Sequence, residues 1–280
     1  MGNIAFFDAE TSPQDNKILD IGCVRDDESI FHRNSVPDFI GFIRNSGFIA
    51  GHNIFGHDLK YLSKAFTEAG IHPLGFIDTL LFSPLLFPSR PYHALLKDDK
   101  LQSGSLNNPL NDSKKARDLF FDEVAAFNNT DDYLKQLYYL LLGKHPHFTS
   151  FFDYLGYAPE QQDTEQLIRE RFADRICSNA DLSLMISRHP VELAYCLALI
   201  NADNRYSITP PWVLRNFPGV ERLMRLLRSK PCVTGCQYCN TFLDVRLGLK
   251  RFFGYDSFRL FGGQPLQERA AKAAVDNKSL

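Results

Sequence analysis

The sequence predicts an α/β fold that is followed by a helical region and a cysteine-bearing segment. Apolar runs of strand length alternate with amphipathic stretches of helix length over residues 1–127. After residue 131 the apolar residues recur at three-to-four spacing, which is typical of helices. Three of the six cysteines then lie together in "PCVTGCQYC".

The α/β part contains four segments with the composition and length of strands: "NIAFFDA", "ILDIGCVR", "SIFHR" and "GFIAGH". Two helices are predicted in "HDLKYLSKAFTEAG" and "DSKKARDLFFDEVAAF", and two more beyond them in "DDYLKQLYYLLLG" and "PVELAYCLALINAD". The predicted organisation is an α/β domain, a helical region, a cysteine-rich segment and a C-terminal segment, at residues 1–127, 128–230, 231–243 and 244–280.

Composition and charge narrow the class of protein. A chain of 280 residues with 44% hydrophobic content can bury a full core, which excludes a disordered protein. Apolar runs such as "IDTLLFSPLLF" are too short or too interrupted to cross a bilayer, and the N-terminus lacks the pattern of a signal peptide, so we expect a cytoplasmic protein. The segment from Arg205 to Arg259 contains ten Lys/Arg residues and three acidic residues, which gives it a net charge of +7. Such a charge suits a polyanionic partner.

Carboxylates occur where predicted elements begin or end. Asp8 and Glu10 are two residues apart in "FFDAET", so an extended strand places both on one face, where like charges repel unless a cation lies between them. Asp58 and Asp112 each lie at the start of an amphipathic helix. Carboxylate oxygens are the ligands that Mg²⁺ and Mn²⁺ prefer, and two such ions about 4 Å apart can assist an in-line phosphoryl displacement.

His93, in "PYHALLKDDK", completes this set with a side chain that titrates near neutrality, which suits a general base. We expect Asp8 to bridge the two ions, and Glu10, Asp58 and Asp112 to complete their coordination. His93 is then expected to activate the attacking water.

This order of residues resembles the DEDDh family of 3′→5′ exonucleases, which have a ribonuclease H-like fold. The residues that carry the resemblance fall in three motifs: Asp8, Glu10 and Thr11; His52, Asn53 and Asp58; and His93 with Asp112. The resemblance covers residues 1–127 and implies a ribonuclease H-like mixed sheet flanked by helices. It also implies hydrolysis of a nucleic acid from its 3′ end to nucleoside 5′-monophosphates, with Thr11 near the terminal nucleotide.

The last motif departs from the family pattern. The usual spacing after the histidine selects Asp98, but the polar stretch "DKLQSGSLNNP" that follows Asp98 cannot form the long helix expected next. Asp112 is followed by such a helix. We therefore predict Asp112 as the last metal ligand, with a loop inserted after His93.

The clustered cysteines predict a second metal site. Cys232, Cys236 and Cys239, with Cys196 from an apolar helix, supply four thiolates, a set accepted by both zinc and a [4Fe–4S] cluster. The cluster is favoured slightly, because the arrangement of one distant and three clustered cysteines resembles that of iron–sulfur nucleases of recombination and CRISPR adaptation. We interpret the other two cysteines, Cys23 and Cys177, as small buried hydrophobic residues.

Residues 244–280 resemble the segment that opens the core of RecQ-like DNA helicases. The resemblance rests on Phe253, Tyr255, Phe258, Arg259 and Gln267. No Gly-x-x-x-x-Gly-Lys-Ser/Thr motif occurs in the sequence. We therefore expect the nuclease part of a nuclease–helicase polypeptide that acts on a single-stranded DNA 3′ end. An exoribonuclease of the same superfamily and a catalytically silent nucleic-acid-binding module remain as alternatives.

Overall fold

A computed structural model gives the structure of the chain. It describes residues 3–12, 14–15, 17–71, 75–95, 108–202, 209–243 and 269. The chain divides into two compact units, formed by residues 1–161 with 202–210 and by residues 162–201 with 211–280. The predicted helicase-like segment 244–280 lies outside the described residues, apart from Arg269.

A five-stranded mixed sheet forms the centre of the first unit, in the spatial order β3-β2-β1-β4-β5. The strands are β1 (Ile4–Thr11), β2 (Ile18–Arg25), β3 (Ile30–His32), β4 (Phe48–Gly51) and β5 (Gly75–Asp78). The central strand β1 pairs antiparallel with β2 and parallel with β4. The predicted α/β class with a mixed sheet is confirmed, and β5 is a strand that the sequence analysis missed.

Helices cover both faces of this sheet. Alternate residues of β1, among them Phe7 and Ala9, contribute to a buried cluster with helices α1 (Val36–Ile43) and α2 (Asp58–Glu68). Phe6, on the opposite face of β1, packs against aromatic rings of α4 (Pro109–Asn129). Because strand side chains alternate, Asp8 and Glu10 share the face that α4 covers.

The remaining helices of the first unit are α3 (Thr79–Leu86), α5 (Asp132–Leu142) and α6 (Thr149–Leu155). Phe82 of α3 stacks on Phe151 of α6 with ring centroids 4.1 Å apart, and Phe120 of α4 meets the same ring edge-on. The predicted domain boundary at residue 127 falls inside α4, and α5 and α6 belong to the first unit.

The second unit is helical. Its helices are α7 (Thr164–Arg171), α8 (Leu182–Arg188), α9 (Pro190–Ala202), α10 (Pro211–Asn216), α11 (Gly219–Met224) and α12 (Gln237–Phe242), with a π-helical turn at Arg225–Ser229. Helix α9 is apolar on all sides and its residues Val191 and 193–200 are buried. In the described parts of the chain, no helix combines the length and apolar character that a membrane span requires.

One glycine sets where α4 meets the sheet. Gly22 of β2 is the pairing partner of Asp8, and a β-carbon at Gly22 would clash with the backbone of Pro109 and Leu110. The first turn of α4 therefore lies directly on β2. The Asn108 side chain caps this turn by accepting hydrogen bonds from the backbone N–H groups of Leu110 and Asn111, at 3.1 and 3.3 Å.

We predict that Gly22→Ala lowers the free energy of unfolding by about 1–3 kcal/mol, since the added methyl group forces α4 away from β2. The matched control is Gly41→Ala in α1, where a β-carbon meets no atom within 4 Å. That substitution should raise stability by up to about 1 kcal/mol through helix propensity. Urea unfolding of both variants checks the prediction, and equal midpoints would contradict the close approach at Gly22.

Candidate metal centres

Three carboxylates from two elements meet at the end of β1. Asp8, Glu10 and Asp112 each offer an oxygen atom, and these three atoms lie within 4.8 Å of one another. Asp8 and Glu10 come from β1, and Asp112 comes from the first turn of α4. Three acids at this spacing repel one another, and a cation between them would remove that cost. The group could therefore hold a hard metal ion.

The position of Asp112 follows from the contact at Gly22. Asp8 pairs with Gly22 in the sheet, and the first turn of α4 lies directly over that glycine. The first turn of the helix is therefore next to Asp8. Asp112 is buried, with 8% of its surface exposed. Asp98, the alternative last ligand, lies outside the described residues.

Asp58 approaches the same strand end by a different route. It is the first residue of α2, it is 1% exposed, and its Oδ1 accepts a hydrogen bond of 2.8 Å from the backbone N–H of Ala9. Ala9 lies between Asp8 and Glu10, so this bond fixes Asp58 beside the acidic pair. Asp58 is nevertheless not among the three acids whose oxygens lie together.

His57 is a residue of this site that sequence reasoning missed. Its Nδ1 lies 3.8 Å from Asp58 Oδ1, and its Nε2 lies 3.4 Å from the hydroxyl oxygen of Thr11. The contact with Asp58, supported by the charges of Asp8 and Glu10, raises the pKa of His57. The only sequence signal was its position directly before Asp58.

His93 is buried and is not part of the carboxylate group. Its Nδ1 is 2.8 Å from Ser83 Oγ, and its Nε2 has no hydrogen-bond partner among the described residues. Burial lowers the pKa of His93 to about 4. Its expected role as a general base therefore stays a prediction.

His52 and Asn53 hold the loop that precedes α2. His52 Nδ1 lies 2.9 Å from Thr79 Oγ1. Burial is the main cause that lowers the pKa of His52 to about 4, and the charge of the neighbouring His93 adds to it. Asn53 has a positive φ of 65°, and its backbone N–H donates to Asp78 Oδ1 at 2.7 Å. These contacts attach the loop to the start of α3 and so fix where α2, and with it Asp58, begins.

The second candidate centre, in the second unit, consists of four cysteines. The sulfur atoms of Cys177, Cys232, Cys236 and Cys239 all lie within 4.8 Å of one another. The predicted fourth ligand, Cys196, is wrong for this group. It is fully buried in α9, where its thiol lies 3.5 Å from the backbone oxygen of Val220.

Cys177 takes the place predicted for Cys196 because of a backbone contact. Its N–H donates to the carbonyl oxygen of Leu227 at 2.7 Å, which brings the turn after α7 next to the residues that lead into Cys232. The Asn179 side chain of the same turn donates to the Cys232 sulfur at 3.3 Å. Cys177 occurs in the polar turn "CSNAD", and this setting distinguishes it from Cys196 in its apolar helix.

Hydrogen bonds favour the ionised form of two of these thiols. The backbone N–H of Cys236 and the Asn179 side chain lower the pKa of Cys232. Burial raises the pKa of Cys236, but hydrogen bonds from Cys239 and Ser178 outweigh that effect and lower it overall. Burial raises the pKa of both Cys177 and Cys239. The cluster therefore holds two thiols that ionise more readily than a free cysteine and two that would need a bound metal to do so.

No protein-family model, curated protein or solved structure matches this chain. The resemblance to exonucleases therefore rests on the motif residues in the sequence and stays a prediction.

We predict that acid weakens the fold through His52 and His93. Both have a folded-state pKa of about 4, below the ordinary value of 6.5, so the unfolded chain binds their protons more tightly. Their contribution to stability is complete above pH 6.5 and is lost as the pH falls towards 4. Urea unfolding at pH 7 and pH 4.5 should show this loss, and His93→Gln should reduce it. An unchanged pH dependence in the variant would contradict the prediction.

Proposed function

We propose that this chain is a metal-dependent 3′→5′ exonuclease whose first unit has a ribonuclease H-like fold. The observation that carries the proposal is the meeting of Asp8, Glu10 and Asp112, which are far apart in the sequence, at the end of the central strand. These are residues that the resemblance to DEDDh exonucleases selects. The mixed sheet with helices on both faces agrees with the fold that the resemblance implies.

The donor set fits a hard divalent cation. All of its ligand atoms are carboxylate oxygens, which favour Mg²⁺ or Mn²⁺ over softer metals. Asp8, Glu10 and Asp112 would hold the ions, with Asp58 beside them. When bound, two such ions would offset the charge of the phosphodiester and stabilise the oxygens that attack and leave.

The chain's own groups explain why activity should require a metal. Three carboxylates within 4.8 Å form a negative site that repels a phosphate on its own. The Thr11 hydroxyl and the His57 ring lie 3.4 Å apart beside these acids, and both could contact a bound nucleotide. The hydrogen bond from the Ala9 N–H to Asp58 holds the start of α2 against the end of β1.

The preferred substrate on this proposal is single-stranded DNA. The excess of basic residues between Arg205 and Arg259 favours a nucleic acid. The likeness of residues 244–280 to the start of a RecQ-like helicase favours DNA over RNA, with the helicase core as the partner in the same polypeptide.

We predict that Asp8→Asn abolishes degradation of 5′-labelled single-stranded DNA in the presence of Mg²⁺ or Mn²⁺. The unaltered chain should shorten the strand from its 3′ end, and chelator or Asp8→Asn should reduce the rate by more than about 100-fold, since ligand loss exceeds the effect of a supporting residue. The matched control is Asp38→Asn, which removes an exposed carboxylate from α1 and should leave the rate unchanged.

Asp112→Asn tests the last ligand in the same assay. Because Asp112 lies with Asp8 and Glu10, its substitution should cause a loss similar to that of Asp8→Asn. Full activity in Asp112→Asn would show that another acid completes the site. A matched RNA strand degraded faster than DNA would indicate an exoribonuclease. Binding without degradation under either metal would indicate a silent nucleic-acid-binding module.

A further inference from the structure

The spacing of the cysteine sulfurs indicates how many metal atoms they can share. The Cys236 and Cys177 sulfurs are 3.8 Å apart, and the four sulfurs of the cluster all lie within 4.8 Å of one another. A tetrahedral zinc ion with Zn–S bonds of about 2.3 Å separates its sulfurs by about 3.8 Å. The sulfurs are therefore already close to the positions that one ion requires.

We propose that Cys177, Cys232, Cys236 and Cys239 bind a single Zn²⁺ ion as a structural site. An iron–sulfur cubane binds each thiolate to a different iron atom, so its four sulfurs must lie further apart than those around one ion. Four protein ligands also complete a tetrahedral shell and leave no position for a substrate or water, which is typical of structural zinc.

Hydrogen-bond donors around the sulfurs are placed to support bound thiolates. The backbone N–H of Cys236 donates to the Cys232 sulfur at 3.2 Å, and the N–H of Cys232 donates to the Cys239 sulfur at 3.4 Å. The Asn179 amide reaches the Cys232 sulfur from the other segment. Such donors offset the negative charge of a four-thiolate site and orient its ligands.

The ion would stabilise a segment that has little apolar packing of its own. The residues around Cys232 bury little apolar surface, since Val233, Thr234 and Lys230 are exposed and Cys232 and Cys236 are half-buried. A segment with so small a core depends on cross-links for a fixed conformation. The ion would join this segment to the turn at Cys177. Because the four sulfurs come together only in the folded chain, the free energy of zinc binding would stabilise the fold.

Metal analysis of the full chain tests the proposal directly. The protein is purified without oxygen, so that an iron cluster would survive, and zinc, iron and acid-labile sulfide are measured per chain. We expect one zinc and neither iron nor sulfide. Iron and sulfide in similar amounts with visible absorption would overturn the proposal in favour of a cluster, and a folded chain without metal would overturn it altogether.

Two serine substitutions test which cysteines bind. Cys177→Ser should lose the zinc, whereas the matched control Cys196→Ser should keep it, because Cys196 lies outside the cluster. Zinc retained in Cys177→Ser, or lost in a folded Cys196→Ser, would overturn the ligand assignment.

Cobalt substitution covers the case in which Cys177→Ser does not fold. After zinc is removed from the unaltered chain by chelator, Co²⁺ should restore one site per chain with the visible ligand-field absorption of a tetrahedral four-thiolate centre. Absence of that absorption at one equivalent of Co²⁺ would count against the site.

Discussion

The close approach of α4 to β2 at Gly22 is the constraint on which the carboxylate group depends. Gly22 pairs with Asp8 in the sheet, and the missing side chain lets the first turn of α4 lie on the backbone of β2. Asp112 is thereby brought to Asp8 and Glu10, although like charges oppose that meeting. The opposing free energy is offset further along the helix, where Phe120 is fully buried and packs on Phe6.

Two acids reach the end of β1 from helices on opposite faces of the sheet. Asp112 arrives with α4 on one face, and Asp58 arrives with α2, whose apolar side packs on the other. The loop before α2 is held in turn by Asp78, which accepts hydrogen bonds from the N–H groups of Asn53 and Phe55 at 2.7 and 3.2 Å. The geometry at the strand end thus depends on packing that is distant from it, and no single loop determines it.

Alternation and helix periodicity in the sequence predict most of this frame, including β1, β2, β4, α2 and α4. The long helix after Asp112 favoured it over Asp98, since a polar stretch cannot supply the packing that holds the acid in place. Strand register and the close approach at Gly22 cannot be read from periodicity. Strand β5 was missed because α3 begins directly after it, so no turn residues separate the two elements in the sequence. His57 and Cys177 were missed because a residue type alone does not reveal which side chains a fold brings together. Cys196 was chosen wrongly for the same reason, since proximity in space arises here from the Cys177–Leu227 backbone bond.

The carboxylate group and the cysteine cluster differ in how far the surrounding packing fixes their ligands. In the first unit an aromatic core around Phe6, Phe120 and Phe151 fixes the sheet and α4, so the fold can hold the carboxylates together before any ion arrives. In the second unit the segment around Cys232 has little apolar packing of its own, and the proposed zinc would supply what a core does elsewhere. An ion in the carboxylate group would therefore serve chemistry on a frame that is already formed. An ion in the cysteine cluster would stabilise the fold itself. Its thiolates come from the turn at Cys177, from the segment at Cys232 and Cys236, and from Cys239 in the short helix α12.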